Sequence, residues 1–276
     1  LLDKKVDILF LPSFVRFPRD TTGAAYSQAC PYAQALPYLA RAALKSGDTR
    51  VIEAVLRLQD ERQFTASVRA VGKALGKGSL KVAAAARLAQ EAQDRALHAV
   101  QELGRETLAP LAPGRRALVL LGRTYNTCDA GMNMNLPAKV RDLGVQAIPM
   151  DLLPLHDVDH AGMEEMYWRS GRKILAAARY LRGRPDLFPV YITNFGCGPD
   201  SFISHFFREE MGGKPYLQLE IDEHSADAGA ITRIEAFLDS LGNARGSRPG
   251  RTVPDRQTAA HHRRTVYLPP MTDHAH

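Results

Sequence analysis

The chain has 276 residues, 45% apolar and 24% charged, which supplies one large or two small cores and excludes a chain disordered throughout. Its net charge of +6 is concentrated in residues 244–276, where six arginines against Asp255 and Asp273 give +4; the remainder is nearly neutral and has no basic stripe of the kind that binds nucleic acid. No apolar run reaches the roughly 18–20 residues of a membrane helix, no signal-type segment opens the chain, and three cysteines, an odd number, speak against a disulfide framework, so the expectation is a cytoplasmic protein with reduced thiols.

The sequence opens on Leu1-Leu2-Asp3 without a methionine and runs almost at once into the apolar stretch Val6–Pro12, a pattern expected of a segment cut from a longer polypeptide that begins on a buried parallel strand. Pro31 starts a helix through about Ser46, with Leu36, Leu39, Ala40, Ala43 and Leu44 at helical spacing. Residues 1–48 are therefore expected to form the first part of an α/β domain, truncated upstream. From residue 49 to 110 the chain is rich in Ala, Leu, Arg, Gln and Glu and broken only near Gly72–Gly78, which predicts an all-helical insertion of two or three helices.

Alternation of strand and helix then resumes over residues 111–243. Strands are expected at Ala117–Leu121, Gln146–Pro149, Phe188–Asn194 and Tyr216–Glu220, and helices at Pro137–Leu143, Met163–Leu181, Asp200–Met211 and Asp227–Leu241. That rhythm predicts a doubly wound, mostly parallel sheet of the Rossmann or flavodoxin-like kind. Residues 244–263, rich in Gly, Arg, Ser, Pro and His, are expected to be a flexible linker, and Thr265–Pro269 within 264–276 the first strand of a following, truncated domain.

Ligands of open α/β sheets gather beyond the carboxyl ends of the strands, and all three cysteines are expected there. Cys30 precedes the helix opened by Pro31, Cys128 follows the strand Ala117–Leu121, and Cys197 lies in Asn194-Phe-Gly-Cys-Gly-Pro-Asp200 between a strand and a helix. Flanking glycines and a following helix N-terminus would lower the Cys197 thiol pKa and suit it to a metal–sulfur bond or to nucleophilic work. The spacings match no local zinc or ferredoxin pattern. Gly72-Lys-Ala-Leu-Gly-Lys-Gly-Ser79 follows a helix and lacks phosphate-loop spacing, His156-Asp-Val-Asp-His160 reads as a solvated loop, and no Gly-x-Ser-x-Gly elbow is present.

Four segments carry a resemblance: Cys30-Pro-Tyr-Ala-Gln-Ala-Leu-Pro37, Gly122-Arg-Thr-Tyr-Asn126, Asn194-Phe-Gly-Cys-Gly-Pro-Asp-Ser-Phe202, and Asp222-Glu-His-Ser-Ala-Asp-Ala-Gly229 with Thr232–Phe237. Together they resemble the acyl-CoA dehydratase activase-related proteins, long chains in which an ATPase activase part often precedes a part like a 2-hydroxyacyl-CoA dehydratase subunit. The resemblance implies a [4Fe–4S] cluster held by three cysteines, with one iron open to a thioester, and a low-potential electron supplied by an ATP-dependent activase domain or subunit.

It further implies that Cys30 and Cys197 are cluster ligands and Cys128 a candidate third. Related chains carry another cysteine in an upstream Cys-x-Pro-x-Lys segment absent here, which would place the third ligand outside this sequence. Tyr125, Asn126 and Asn194 are expected at a substrate pocket beside the cluster, with an acyl-CoA thioester and a second dehydratase-like domain as partners. No catalytic residue is identified. Two other readings stand beside this one: a cluster-free interaction or regulatory module of the activase-fused protein, and a thiol enzyme using Cys197.

Overall fold

The structure, a computed structural model, describes residues 6–18, 24–44, 47, 49–111, 116–222 and 224–243. The expected linker 244–263 and the strand at 265–269 lie outside the described residues. Four strands, β3 (Ala117–Leu121), β4 (Gln146–Pro149), β5 (Leu187–Asn194) and β6 (Leu217–Ile221), form one parallel sheet in the order β4-β3-β5-β6. Two further strands, β1 (Ile8–Arg16) and β2 (Arg50–Arg57), form a separate parallel pair.

The central strand explains the layering. All five residues of β3 are fully buried, and its side chains alternate between two cores because successive strand residues point to opposite faces. Ala117, Val119 and Leu121 pack with Ile174, Leu175 and Ala178 of α6 (Arg169–Arg182) and with Ile203 and Phe207 of α7 (Gly198–Met211). Leu118 and Leu120 pack on the other face with Leu136 and Val140 of α5 (Leu136–Asp142) and with Ile234 and Phe237 of α8 (Asp227–Asn243). Helices thus cover both faces of the sheet, as the doubly wound α/β reading requires.

The strand β2 corrects the expectation of an all-helical insertion beginning at residue 49. Arg50-Val-Ile-Glu-Ala-Val-Leu-Arg57 is too short for its period to separate strand from helix, and its pairing with β1, from Ile8↔Arg50 to Phe14↔Leu56, decides the matter. The rest of that stretch is helical: α2 (Glu61–Ala74), capped by Asp60 through the Gln63 N–H at 2.9 Å, then α3 (Ser79–Leu108). The break at Gly72–Gly78 is an interhelical turn. The helix expected from Met163 starts later, at Arg169, because residues 163–168 form turns and a bridge instead.

Helix α3 buries only Val82 and Gly104 along its 30 residues. Gly104 lies against the Met150–Leu152 turn so closely that a Cβ would overlap the Leu152 carbonyl oxygen. Gly104→Ala should therefore cost about 1–3 kcal/mol from overpacking, against a gain of about 1 kcal/mol in helix propensity. The check is urea unfolding together with amide exchange near residue 104. An unchanged midpoint and unchanged exchange would mean that this contact does not hold the helix down.

Candidate functional site

The chain leaves β3 toward β4 on one side and leaves β5 toward β6 on the other, so the carboxyl ends of β3 and β5 border a topological switch point. The loop after β3 begins with Gly122, at φ +149°, and continues into the short helix α4 (Thr124–Cys128). The loop after β5 carries Asn194 to Cys197 and leads into α7, whose N-cap is Cys197 and whose first turn holds Pro199 and Asp200. The sheet alone accounts for the meeting of these two loops.

Cys30 arrives by a different route. It N-caps α1 (Pro31–Ala43), its Sγ accepting the Ala33 N–H at 3.4 Å. The segment before it is stitched to the approach of α6: the Ala25 N–H donates to the Glu164 carbonyl at 3.1 Å, Gln28 N–H to Tyr167 at 3.1 Å, and Arg169 N–H to Gln28 at 3.2 Å. The buried Arg172 guanidinium donates to the Tyr26 carbonyl at 2.8 Å. These bonds carry the β1-α1 unit to the switch point and bring Cys30 within electrostatic reach of the Tyr125 phenol.

The centre of the site is Arg123, which was not singled out from sequence. Its Nη1 donates to Cys197 Sγ at 2.9 Å, to the Tyr125 hydroxyl at 3.2 Å and to Asp200 Oδ2 at 3.4 Å, while Nη2 pairs with Asp200 Oδ1 at 3.0 Å. The two charged side chains are 7% and 3% exposed. Burial alone would lower the guanidinium pKa, but the Asp200 carboxylate and the Cys197 sulfur overcome it and hold Arg123 charged. Burial pushes the Asp200 carboxyl up against the pull of Arg123, and the wholly buried Tyr191 lies beside the same carboxylate.

The thiol of Cys197 is likewise pushed up by burial, with Arg123 pulling the other way. This corrects the expectation of a lowered pKa: glycines and a helix dipole are visible in sequence, whereas the depth of the sulfur is not. A nucleophile at ambient pH is therefore poorly served. A sulfur bonded to a cation would instead gain from the guanidinium and from the low-dielectric surroundings.

The other expected site residues separate. Tyr125, 44% exposed, stands at the surface with its hydroxyl on Arg123. Asn126 is 1% exposed and lies beneath the site, donating to Asn194 Oδ1 at 2.8 Å and to the Ile192 carbonyl at 3.4 Å, so it braces the two loops. Cys128 is exposed at the end of α4, in contact with Thr127 Oγ1 at 3.5 Å. Among the described residues no three His, Cys, Asp or Glu side chains gather into a group that could hold a metal ion. The described residues therefore do not form a cluster site by themselves: Cys197 stands on the Arg123 centre, and Cys30 lies within electrostatic reach of Tyr125.

Among the described residues no helix is long and apolar enough to cross a membrane. Comparison with curated proteins and with solved structures found no match. A family model, the CoA enzyme activase uncharacterised domain (DUF2229), matches residues 1–153, a span that contains Cys30, Arg123, Tyr125, Asn126 and Cys128. With more than half its length matched, and with its first site cysteine and its central arginine inside the match, the chain belongs to this activase-related family.

Proposed function

We propose that this domain works with an ATP-dependent activase as its dehydratase-like partner, and that Cys30 and Cys197 contribute two thiolates to a [4Fe–4S] cluster completed by a ligand from outside the described residues. Three observations support this reading: Cys30 and Cys197, distant in sequence, each stand at the N-cap of a helix, Cys197 accepts from the buried Arg123, and Cys30 lies within electrostatic reach of Tyr125, whose hydroxyl accepts from the same arginine. Each sulfur stands at the N-terminal end of a helix longer than three turns, where the dipole favours negative charge. Such a cluster with an open iron would supply the one-electron reduction of a thioester carbonyl.

The chain's own residues prepare the place for an acyl-CoA thioester. Asn126 and Asn194 hold the β3 and β5 loops in register. Tyr125 offers a surface hydroxyl on Arg123, and the exposed rings of Tyr32 and Phe195, two positions from Cys30 and Cys197 in sequence, supply apolar surface for a partner such as a second dehydratase-like domain. The competing reading, a cluster-free interaction module, draws on the lack of three converging ligands among the described residues.

Iron and acid-labile sulfide in the full-length protein, purified without oxygen, decide between them. The expected result is about four irons per cluster, with a reduced-state paramagnetic signal. Iron should fall to background in Cys30→Ala and Cys197→Ala and persist in Cys128→Ala. Loss of iron in Cys128→Ala would add that residue to the ligand set. No iron in the wild type after reconstitution would reject the cluster and leave the interaction module.

A further inference from the structure

We infer that helix α3 is a dimerisation element, its exposed apolar face pairing antiparallel with the same face of a second copy of this chain. None of the site residues takes part, so the pairing is independent of the cluster. Between Val82, which packs on Gly72 of α2, and Gly104, which packs on the Leu152 carbonyl, every residue of α3 except Ala86 and Glu91 is exposed. The helix is held at its two ends, and about six turns between them face solvent.

That stretch has two faces. At about 100° per residue, Leu88, Ala92, Ala96, Ala99, Val100 and Leu103 share an arc of about 120° that carries no polar side chain. Leu88, Val100 and Leu103 are 55%, 36% and 51% exposed, so the arc presents large apolar groups and not alanine alone. The opposite face is satisfied within the helix and by water: Arg87 pairs with Glu91, Gln90 donates to Asp94 at 2.9 Å, and Arg105 pairs with Glu102. What α3 lacks is a partner for its apolar side.

The period and the charges name that partner. Ala85, Ala89, Ala92, Ala96, Ala99 and Leu103 recur in steps of 4, 3, 4, 3 and 4, the seven-residue repeat of a helix that meets another helix along a seam. Parallel pairing of two copies would put Leu103 on Leu103 at one end and alanine on alanine in every other layer, which splays the helices. Antiparallel pairing sets Leu103 against Ala85 of the second copy at both ends, with Ala89 against Ala99 and Ala92 against Ala96 between them. The spacing stays even and the two-fold axis closes the contact on itself. The same arrangement faces Lys81 with Glu102 of the second copy at both ends and opposes the two helix dipoles.

The test is sedimentation of the full-length protein over a concentration series, with far-UV circular dichroism to confirm folding. The wild type should be a dimer. Ala92→Glu/Ala96→Glu sets like charges against each other at the middle of the seam, on exposed positions, and should raise the dimer dissociation constant roughly a hundredfold or more without loss of helix. Ala92→Glu/Ala96→Lys should stay dimeric, because antiparallel pairing meets each new charge with its opposite, whereas parallel pairing would meet it with its like. Gln101→Glu, on the polar face, should leave the dimer unchanged.

A monomeric wild type would overturn the inference and leave the arc to another segment of a longer chain or to a different protein. A dimer indifferent to Ala92→Glu/Ala96→Glu would also overturn it, since the contact would then lie elsewhere. Loss of the dimer in both charge variants would reject the antiparallel pairing. None of these outcomes bears on iron content, so the cluster reading stands or falls separately.

Discussion

Asp200→Ala should destabilise the domain by about 3–5 kcal/mol, because it leaves the Arg123 guanidinium buried and without its carboxylate. The pair sits between the ends of β3 and α7 with both side chains under a tenth exposed, so water cannot replace the lost partner without opening the crevice. Cys197 and Tyr125 remain hydrogen-bond acceptors of Nη1, but neither carries a compensating charge as a neutral thiol or phenol. Urea unfolding should show a lower midpoint at an unchanged slope.

A double variant, Arg123→Met/Asp200→Leu, should recover most of that loss, since removing both charges together removes the unpaired one. The comparison separates the cost of stranding a charge from the worth of the pair. If Asp200→Ala costs under about 1 kcal/mol, in the range of an exposed ion pair, then Arg123 is hydrated and the dry-fork account of the site is wrong.

This pair also marks the limit of what could be read from the sequence. The five apolar residues of β3 announced a strand buried on both faces, and the structure has it at the same boundaries, because a run without polar residues has no solvent-facing solution. The β5 and α7 elements, with Cys197 in the turn between them, were legible for the same reason: a β-rich apolar run, then Gly-Cys-Gly-Pro as punctuation. Cys30 was legible as a helix start through Pro31.

Arg123 and Asp200 were present in the motifs but not legible as partners. They are 77 positions apart, and a charged residue at a strand end or in a first helical turn is ordinary until its burial is known. The same holds for β2, whose strand identity comes from β1 rather than from its own pattern. Cys128 illustrates the converse: it follows β3 at the same carboxyl edge of the sheet as Cys197, yet one short helix, α4, carries it to an exposed end. Strand order can be argued from sequence, whereas the reach of individual side chains across a switch point depends on the loops.

The second large effect is expected at Gly122. Gly122→Ala should cost about 2–4 kcal/mol, combining a backbone conformation reserved for glycine with a contact that cannot relax. At φ +149° the residue sits where an L side chain is strained, and an added Cβ would lie 2.7 Å from the Ile192 carbonyl oxygen of the neighbouring strand. That oxygen is backbone in the centre of the sheet and also accepts from Asn126 Nδ2 at 3.4 Å, so it cannot yield as a flexible side chain would.

Gly144→Ala is the control. Gly144 has φ +76° with nothing within 4 Å of an added Cβ, and should cost only the left-handed backbone term of about 1–2 kcal/mol. The difference between the two variants reads the close approach of β3 to β5. Because Gly122 precedes Arg123, Gly122→Ala should also move the guanidinium off Cys197. Equal destabilisation by the two variants would show that the strands part freely at this point, and the switch point would then be a mobile edge instead of a fixed seat for the arginine.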